Sequence, residues 1–493
     1  MLEFVRFRMI CSLLIVGLVV TACVSTDPGV TATRSRQIDQ PLIPTESTNA
    51  SDTTVTLPVV DGAIDFGTNK PPQDHDGFLT TAVIDIQKFM AEVYPQLYGS
   101  PYPPLKGGIF AAYPTRPADE PIPGCGEGTT TYADVEGNAF YCSFGDFMVY
   151  DDLLLKSLVQ DLGLSGVGIV LAHEFGHSIQ SRADEFDNPT ILMEQQADCF
   201  AGAWTARVAR GESDTLTFGD EDIRAGLIAM IQVRDPVDGG GIADPDAHGT
   251  GFDRVGAFQE GFKGGAIACK PFFTDKRPLV NIEFDPTDVN LGNLPYVDEA
   301  PDATAGPSDI VTLIPADLDR FWAEQAKLQG KTFTAPTLVR FTNDAPAPCV
   351  DVNADQLVDN ITYCPSTNQI LVSDDLAFRL SEDPLTGDMS VGYLISQAYS
   401  ESVQVQNGSQ LAGEQRVLAN DCLTGAWVSD IIPPLPADRV DSPLSLSAGD
   451  LDEAIITAIA RSDQTTDTNV LGSSFEKVDA FRGGVLNGLG SCK

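Results

Sequence analysis

Apolar and polar residues alternate in this chain with two different periods. Over 166–182 (GVGIVLAHEFGHSIQSR), Val167, Val170, Leu171 and Glu174 recur at helical steps, as do Ile169, His173 and His177. That spacing predicts a helix. A second, alanine-rich helix is expected over 193–210. The short runs GGIFAAY and FMVYD are rich in β-branched and aromatic residues and read as strands. The pattern therefore predicts an α+β fold in which helices dominate.

The first apolar run has a different character. Arg6 and Arg8 precede apolar residues 9–20, and Val20-Thr21-Ala22-Cys23 follows. A charged start, a short apolar stretch and small residues before a cut site describe an export signal. The four residues ending at Cys23 resemble the lipobox of bacterial lipoproteins. That resemblance implies a signal peptide over 1–22, lipidation of Cys23 and an extracytoplasmic, membrane-anchored place in the bacterial cell envelope. No other apolar run reaches the length of a bilayer span. Residues 23–75 are rich in Thr, Ser, Pro and Asp and read as a flexible tether.

Beyond the tether the chain repeats itself, at an offset of 232 for the first match and 222–223 for the rest. FMAEVYPQLYG at Phe89 matches FWAEQAKLQG at Phe321. AFYCSFGDFMVYDDL matches ITYCPSTNQILVSDDL, and ADCFAGAW at Ala197 matches NDCLTGAW at Asn420. FDRVGAFQEGFKGGAIAC ends at Cys269 and FEKVDAFRGGVLNGLGSC at Cys492. This reads as a tandem duplication, one copy over 76–275 and another over 309–493, joined by 276–308. The two copies are expected to pack on each other.

Eight cysteines follow the signal region, four in each copy. An even number in an exported chain suggests disulfides. Four cysteines allow three pairings. The matched spacings favour Cys125–Cys142 with Cys199–Cys269, and Cys349–Cys364 with Cys422–Cys492. Zinc binding by the thiols is the competing reading, and no CxxC spacing supports it.

The formal net charge is −40, and loss of Arg6, Arg8 and Glu3 with residues 1–22 leaves −41. Such a chain is repelled by nucleic acid and by anionic headgroups, so nucleic-acid binding is not expected.

The chemistry concentrates in HEFGH. Positions i and i+4 share one helix face, so His173 and His177 present two imidazoles to one point. Zinc accepts such nitrogens and keeps one position open to water in catalytic sites. Glu174 can take the water's proton as general base. The chain has only four histidines, and with that composition HExxH would arise by chance in on the order of one sequence in a thousand. In the second helix Glu194 and Asp198 are again i and i+4. Glu194 is the natural third ligand, and Asp198 can fix the tautomer of a ligand histidine. His248, in DAHGTGFD, either stabilises an oxyanion or holds a glycine-rich turn.

HEFGHSIQ, EQQADCFAGAW, HGT and AFYC together resemble the bacterial neutral zinc metallopeptidases, over essentially all of the first copy. The resemblance implies a zincin-like fold, zinc on His173, His177 and Glu194, and catalysis by Glu174. The sequence departs from the family at Ser178, where a bulkier residue or His is common.

The second copy lacks these groups. Gln397 stands at the place of His173, Ala398 at Glu174, Glu401 at His177, Val417 at Glu194 and Leu471 at His248. Asp421 keeps the place of Asp198, and Trp427 that of Trp204. The expectation is a zinc peptidase acting on peptides or proteins in the envelope, with a dead copy that is structural or binds substrate. The alternatives are a scaffold or binding lipoprotein with a relic zinc site, and a hydrolase of a non-peptide amide.

Overall fold

The computed structural model describes residues 64–126, 128–237, 247–275, 277–280, 282, 292–297, 309–433, 444–462 and 472–492, together with a short strand at 21–22. Cys23, most of the signal segment and most of the tether lie outside the described residues.

The first half opens with β1 (Thr21–Ala22), β2 (Ile64–Asp65) and α1 (Asp76–Tyr98). Strand β3 (Gly108–Ala112), the small pair β4 (Ile122–Pro123) and β5 (Thr129–Thr130), and α2 (Tyr132–Val135) follow. Then come β6 (Asn138–Cys142), β7 (Phe147–Asp151), α3 (Asp152–Ala183), α4 (Thr190–Ala209), α5 (Asp220–Gln232) and α6 (Gly251–Gly264). The main sheet has the order β1-β6-β7-β3-β2, with β6 and β7 antiparallel and the other pairs parallel. Within the stretch read as tether, β2 adds to the sheet beside β3.

The second half runs α7 (Ile310–Leu328), β8 (Thr337–Phe341), β9 (Ile361–Cys364), β10 (Gln369–Ser373), α8 (Asp374–Glu382), α9 (Gly387–Gln406), α10 (Gly413–Ile431), α11 (Asp450–Ala460) and α12 (Ser474–Asn487). Its sheet has the order β8-β10-β9, parallel then antiparallel. The order β3-β7-β6 in the first half has the same senses.

Helix α3 is longer than the 17 residues the periodicity marked. It continues from β7 but breaks at Gly163 (φ 72°, ψ −176°), a backbone state that only glycine adopts cheaply. By length and composition α3 could cross a membrane, contrary to the sequence expectation. Its second segment is instead the core helix of the first half, buried from Ser165 to Gln180.

Four disulfides join Cys125–Cys142, Cys199–Cys269, Cys349–Cys364 and Cys422–Cys492. The second ties α4 to the turn after α6, where the two helices approach very closely. A Cβ on Gly202 would lie 2.0 Å from Phe258 O, and one on Gly261 1.8 Å from Cys199 O. Helices α10 and α12 meet the same way, through Gly425 against Phe481 O and Gly484 against Cys422 O, each at 2.0 Å. A side chain at these points must push the helices apart. Gly261→Ala is therefore expected to destabilise the fold by about 3 kcal/mol, the upper end for overpacking, measurable by urea unfolding.

The halves are in contact. α6 packs against α11 and α12. Phe252 N donates to Asp452 Oδ1 (2.8 Å), Arg482 Nε donates to Phe252 O (3.1 Å), and Arg234 pairs with Asp452 at 2.9 Å. Arg482 also lies over the Phe252 ring.

Candidate metal centre

The site forms where the second segment of α3 crosses α4. Gly176, inside HEFGH, makes the crossing possible: a Cβ there would sit 2.7 Å from Ala197 Cα. The close approach carries Glu194 and Asp198 to the histidine face of α3.

His173 Nε2 and His177 Nε2 face each other at 3.1 Å. Glu194 reaches both, Oε2 at 3.2 Å from His173 Nε2 and Oε1 at 3.4 Å from His177 Nε2. One donor atom from each of the three lies within 4.8 Å of the others. The outer ring nitrogens are held elsewhere. His173 Nδ1 is 2.7 Å from Asp198 Oδ1, and His177 Nδ1 is 2.9 Å from Gln180 Oε1. Asp198 in turn accepts from Arg254 Nε (2.9 Å) and Nη2 (2.8 Å). Arg254 also donates to Val233 O, and Gln180 to Met193 O. Each histidine is thus aimed by a second residue that is itself anchored.

Glu174 lies beside the triad and outside it. Tyr141 N, on β6, donates to its Oε2 at 2.9 Å, while Oε1 is buried with no hydrogen-bond partner among the described residues. His173, Glu174, His177 and Glu194 are all at most 1% exposed.

The electrostatics show what the pocket wants. Burial pulls the His173 pKa down, but Asp198 and Glu194 outweigh burial and hold it at about 9. Burial dominates at His177 and lowers it. Burial alone would raise Glu194, but the adjacent His177 and His173 hold it well below the usual carboxylate range. Burial raises Glu174 to about 8. Two imidazole nitrogens and a carboxylate converge on a point that attracts positive charge, which is the donor set of a divalent cation such as zinc.

His248 is 4% exposed and near enough to act on the charge of Glu194. Its Nδ1 lies 3.2 Å from Asp235 Oδ1, and its backbone N donates to the same carboxylate. Trp204 is core, as its survival in both halves suggested, but it also donates through Nε1 to Asp85 (2.8 Å); Trp427 donates to Asp317 (2.9 Å).

Sequence reasoning missed Arg254, Gln180, Asp235 and Asp85. A signal for two of them was present. Lys477 stands where the repeat puts Arg254, and Gln404 where it puts Gln180.

Residues 123–272 match the profile of the family described as "Putative neutral zinc metallopeptidase". Over these residues the chain is similar to that family. The matched stretch contains HEFGH, Glu194, Asp198, His248, Arg254 and both disulfides of the first half. Among curated proteins the chain is 31% identical over 170 residues to "Uncharacterized protein YpfJ" of Escherichia coli (strain K12), covering 30% of this chain and 57% of that one. It is 31% identical over 132 residues to "Uncharacterized protein Rv2575" of Mycobacterium tuberculosis (strain ATCC 25618 / H37Rv), covering 23% and 43%. The chain therefore spans about half the length of the curated relatives it matches. No solved structure matches it.

At the matching place in the second half the polar groups bond to one another. Gln397 Nε2 donates to Tyr393 Oη (3.1 Å) and to Asp421, which also accepts from Tyr393. Lys477 Nζ lies 2.8 Å from Asp421 Oδ2. Glu401 pairs with Arg416 at 2.8 and 2.9 Å and accepts from Asn420. Leu471 lies outside the described residues. All four histidines precede residue 249, and the four cysteines of this half are in disulfides.

Proposed function

We propose that the chain is a zinc-dependent metallopeptidase of the bacterial cell envelope, anchored through lipid at Cys23. It has one active site, in the first half. The observation that carries this reading is the convergence of His173 Nε2, His177 Nε2 and Glu194 on one point, with the unpartnered Glu174 Oε1 beside them. Bound there, zinc would polarise a peptide carbonyl and acidify an attacking water. Glu174 accepts the proton of that water and hands it to the leaving amine. Its pKa, raised by burial to about 8, suits a group that must both take and give a proton near neutrality. Asp198 and Gln180 keep the two Nε2 atoms turned inward. His248, oriented by Asp235, stabilises the negative charge that develops on the substrate oxygen. Because the site residues are almost wholly buried, substrate entry requires movement of the elements that cover them.

The second half is a duplicate that has lost the chemistry. It keeps the order of three strands, the disulfide pattern and the close glycine crossing of its helices, while an ion pair and hydrogen bonds fill the place of the ligands. Its role is structural, through its packing on α6. A relic zinc site in a scaffold protein is the competing reading. Structural zinc takes four protein ligands, and three converge here, which favours catalysis. Metal analysis tests the assignment: one zinc per chain is expected, falling to near zero in His177→Ala. Zinc retained in full by His177→Ala would overturn it.

A further inference from the structure

A second cluster of ligand-type atoms lies far along the chain from the zinc triad. Asp388 is the second residue of α9, Asp450 opens α11, and Glu453 lies one turn further. One carboxylate oxygen of each falls within 4.8 Å of the other two, and all three residues are more than nine-tenths buried. Among the described residues no Lys or Arg pairs with any of them.

Their known hydrogen bonds hold them in place without neutralising them. Leu294 N donates to Asp388 Oδ2 (2.7 Å), Met389 N to Glu453 Oε2 (2.9 Å), and Ser447 N to Asp450 Oδ2 (2.8 Å). Asp388 belongs to this cluster, and its Oδ1 is buried with no hydrogen-bond partner among the described residues. Gly387, at φ +49°, gives the Glu453 carboxylate its room: a Cβ there would be 2.1 Å from Glu453 Oε1.

The scaffold does not require two of these acids, Asp388 and Glu453. Setting Gly449-Asp450 on Gly219-Asp220 places Ile223 where Glu453 stands, and the α3–α9 register places Leu164 where Asp388 stands. The N-terminal ends of α9 and α11 favour some negative charge, but three buried carboxylates side by side repel one another.

We propose that Asp388, Asp450 and Glu453 form a buried calcium site in the second half. The donors are all oxygen, which selects a hard cation, and calcium accepts several carboxylate oxygens without retaining the water shell that magnesium keeps. The ion would tie together the segment at Leu294, the start of α9 and the start of α11. Helix α11 also carries Asp452, which meets Arg234 and Phe252 of the first half. Calcium would thereby brace the packing of the halves.

The test is calorimetric titration of CaCl2 into the full, zinc-loaded chain, with its melting temperature followed in parallel. One calcium per chain and a rise of several degrees are expected. Asp388→Asn/Glu453→Gln should abolish both while keeping zinc, and His173→Ala should keep calcium binding, which separates this site from the zinc centre. No calcium heat and no thermal shift at millimolar calcium would overturn the proposal. So would a double variant that still binds calcium. Because the titration of the unmutated chain decides the matter alone, a variant that fails to fold does not rescue the idea.

Discussion

Glu174→Gln is expected to lower peptide hydrolysis by roughly a thousandfold, within the range general-base catalysis supplies, with zinc content unchanged. The amide keeps the shape of the side chain and can still accept from Tyr141 N, which holds Oε2 in place. It cannot accept the water's proton. Glu174 is not among the three converging donors, so metal should remain. Turnover of the variant measured beside its zinc content separates the roles. Loss of zinc would make Glu174 a ligand, and near-normal turnover would remove it from the chemistry.

Arg254→Met is expected to be the costliest single change to stability at the site, about 3–5 kcal/mol, because it breaks a buried ion pair from one side. Asp198 is fully buried and takes two hydrogen bonds from Arg254. Without them its charge is offset only by His173, and the tautomer of that ligand loosens. Zinc affinity should fall about 10- to 100-fold, the usual loss when a group that orients a ligand is removed. Chemical denaturation and competitive zinc titration read the two effects separately. In the second half Lys477 occupies the matching place, and Arg254→Lys should therefore recover part of the stability.

Much of the candidate metal centre was legible in the sequence because helical spacing converts directly into geometry. His173 and His177, and Glu194 and Asp198, are i and i+4 pairs, and each pair shares a face. What the spacing could not show was how the two faces meet. That depends on Gly176, which lets α4 approach α3, and on Gly202 and Gly261, which seat α6 against α4 and bring Arg254 in. A glycine in a sequence does not say which backbone it admits. Asp235 was hidden for a related reason, since a hydrogen bond to a histidine ring leaves no periodic trace. The strands GGIFAAY and FMVYD were readable from their composition, but the addition of β2 to the sheet was not, because Ile64–Asp65 sits in a stretch whose composition resembles the tether. Helix α3 marks a limit of composition: a core helix and a membrane helix carry the same residues, and only burial among neighbours separates them.

The most direct measurement is a peptide-library digest followed by mass spectrometry, comparing the zinc-loaded chain with the metal-free chain. The account predicts cleavage at peptide bonds by the zinc-loaded chain and none by the metal-free one. A folded chain that binds one zinc at His173, His177 and Glu194 and cleaves no peptide would contradict it, and would make the site a relic in a scaffold.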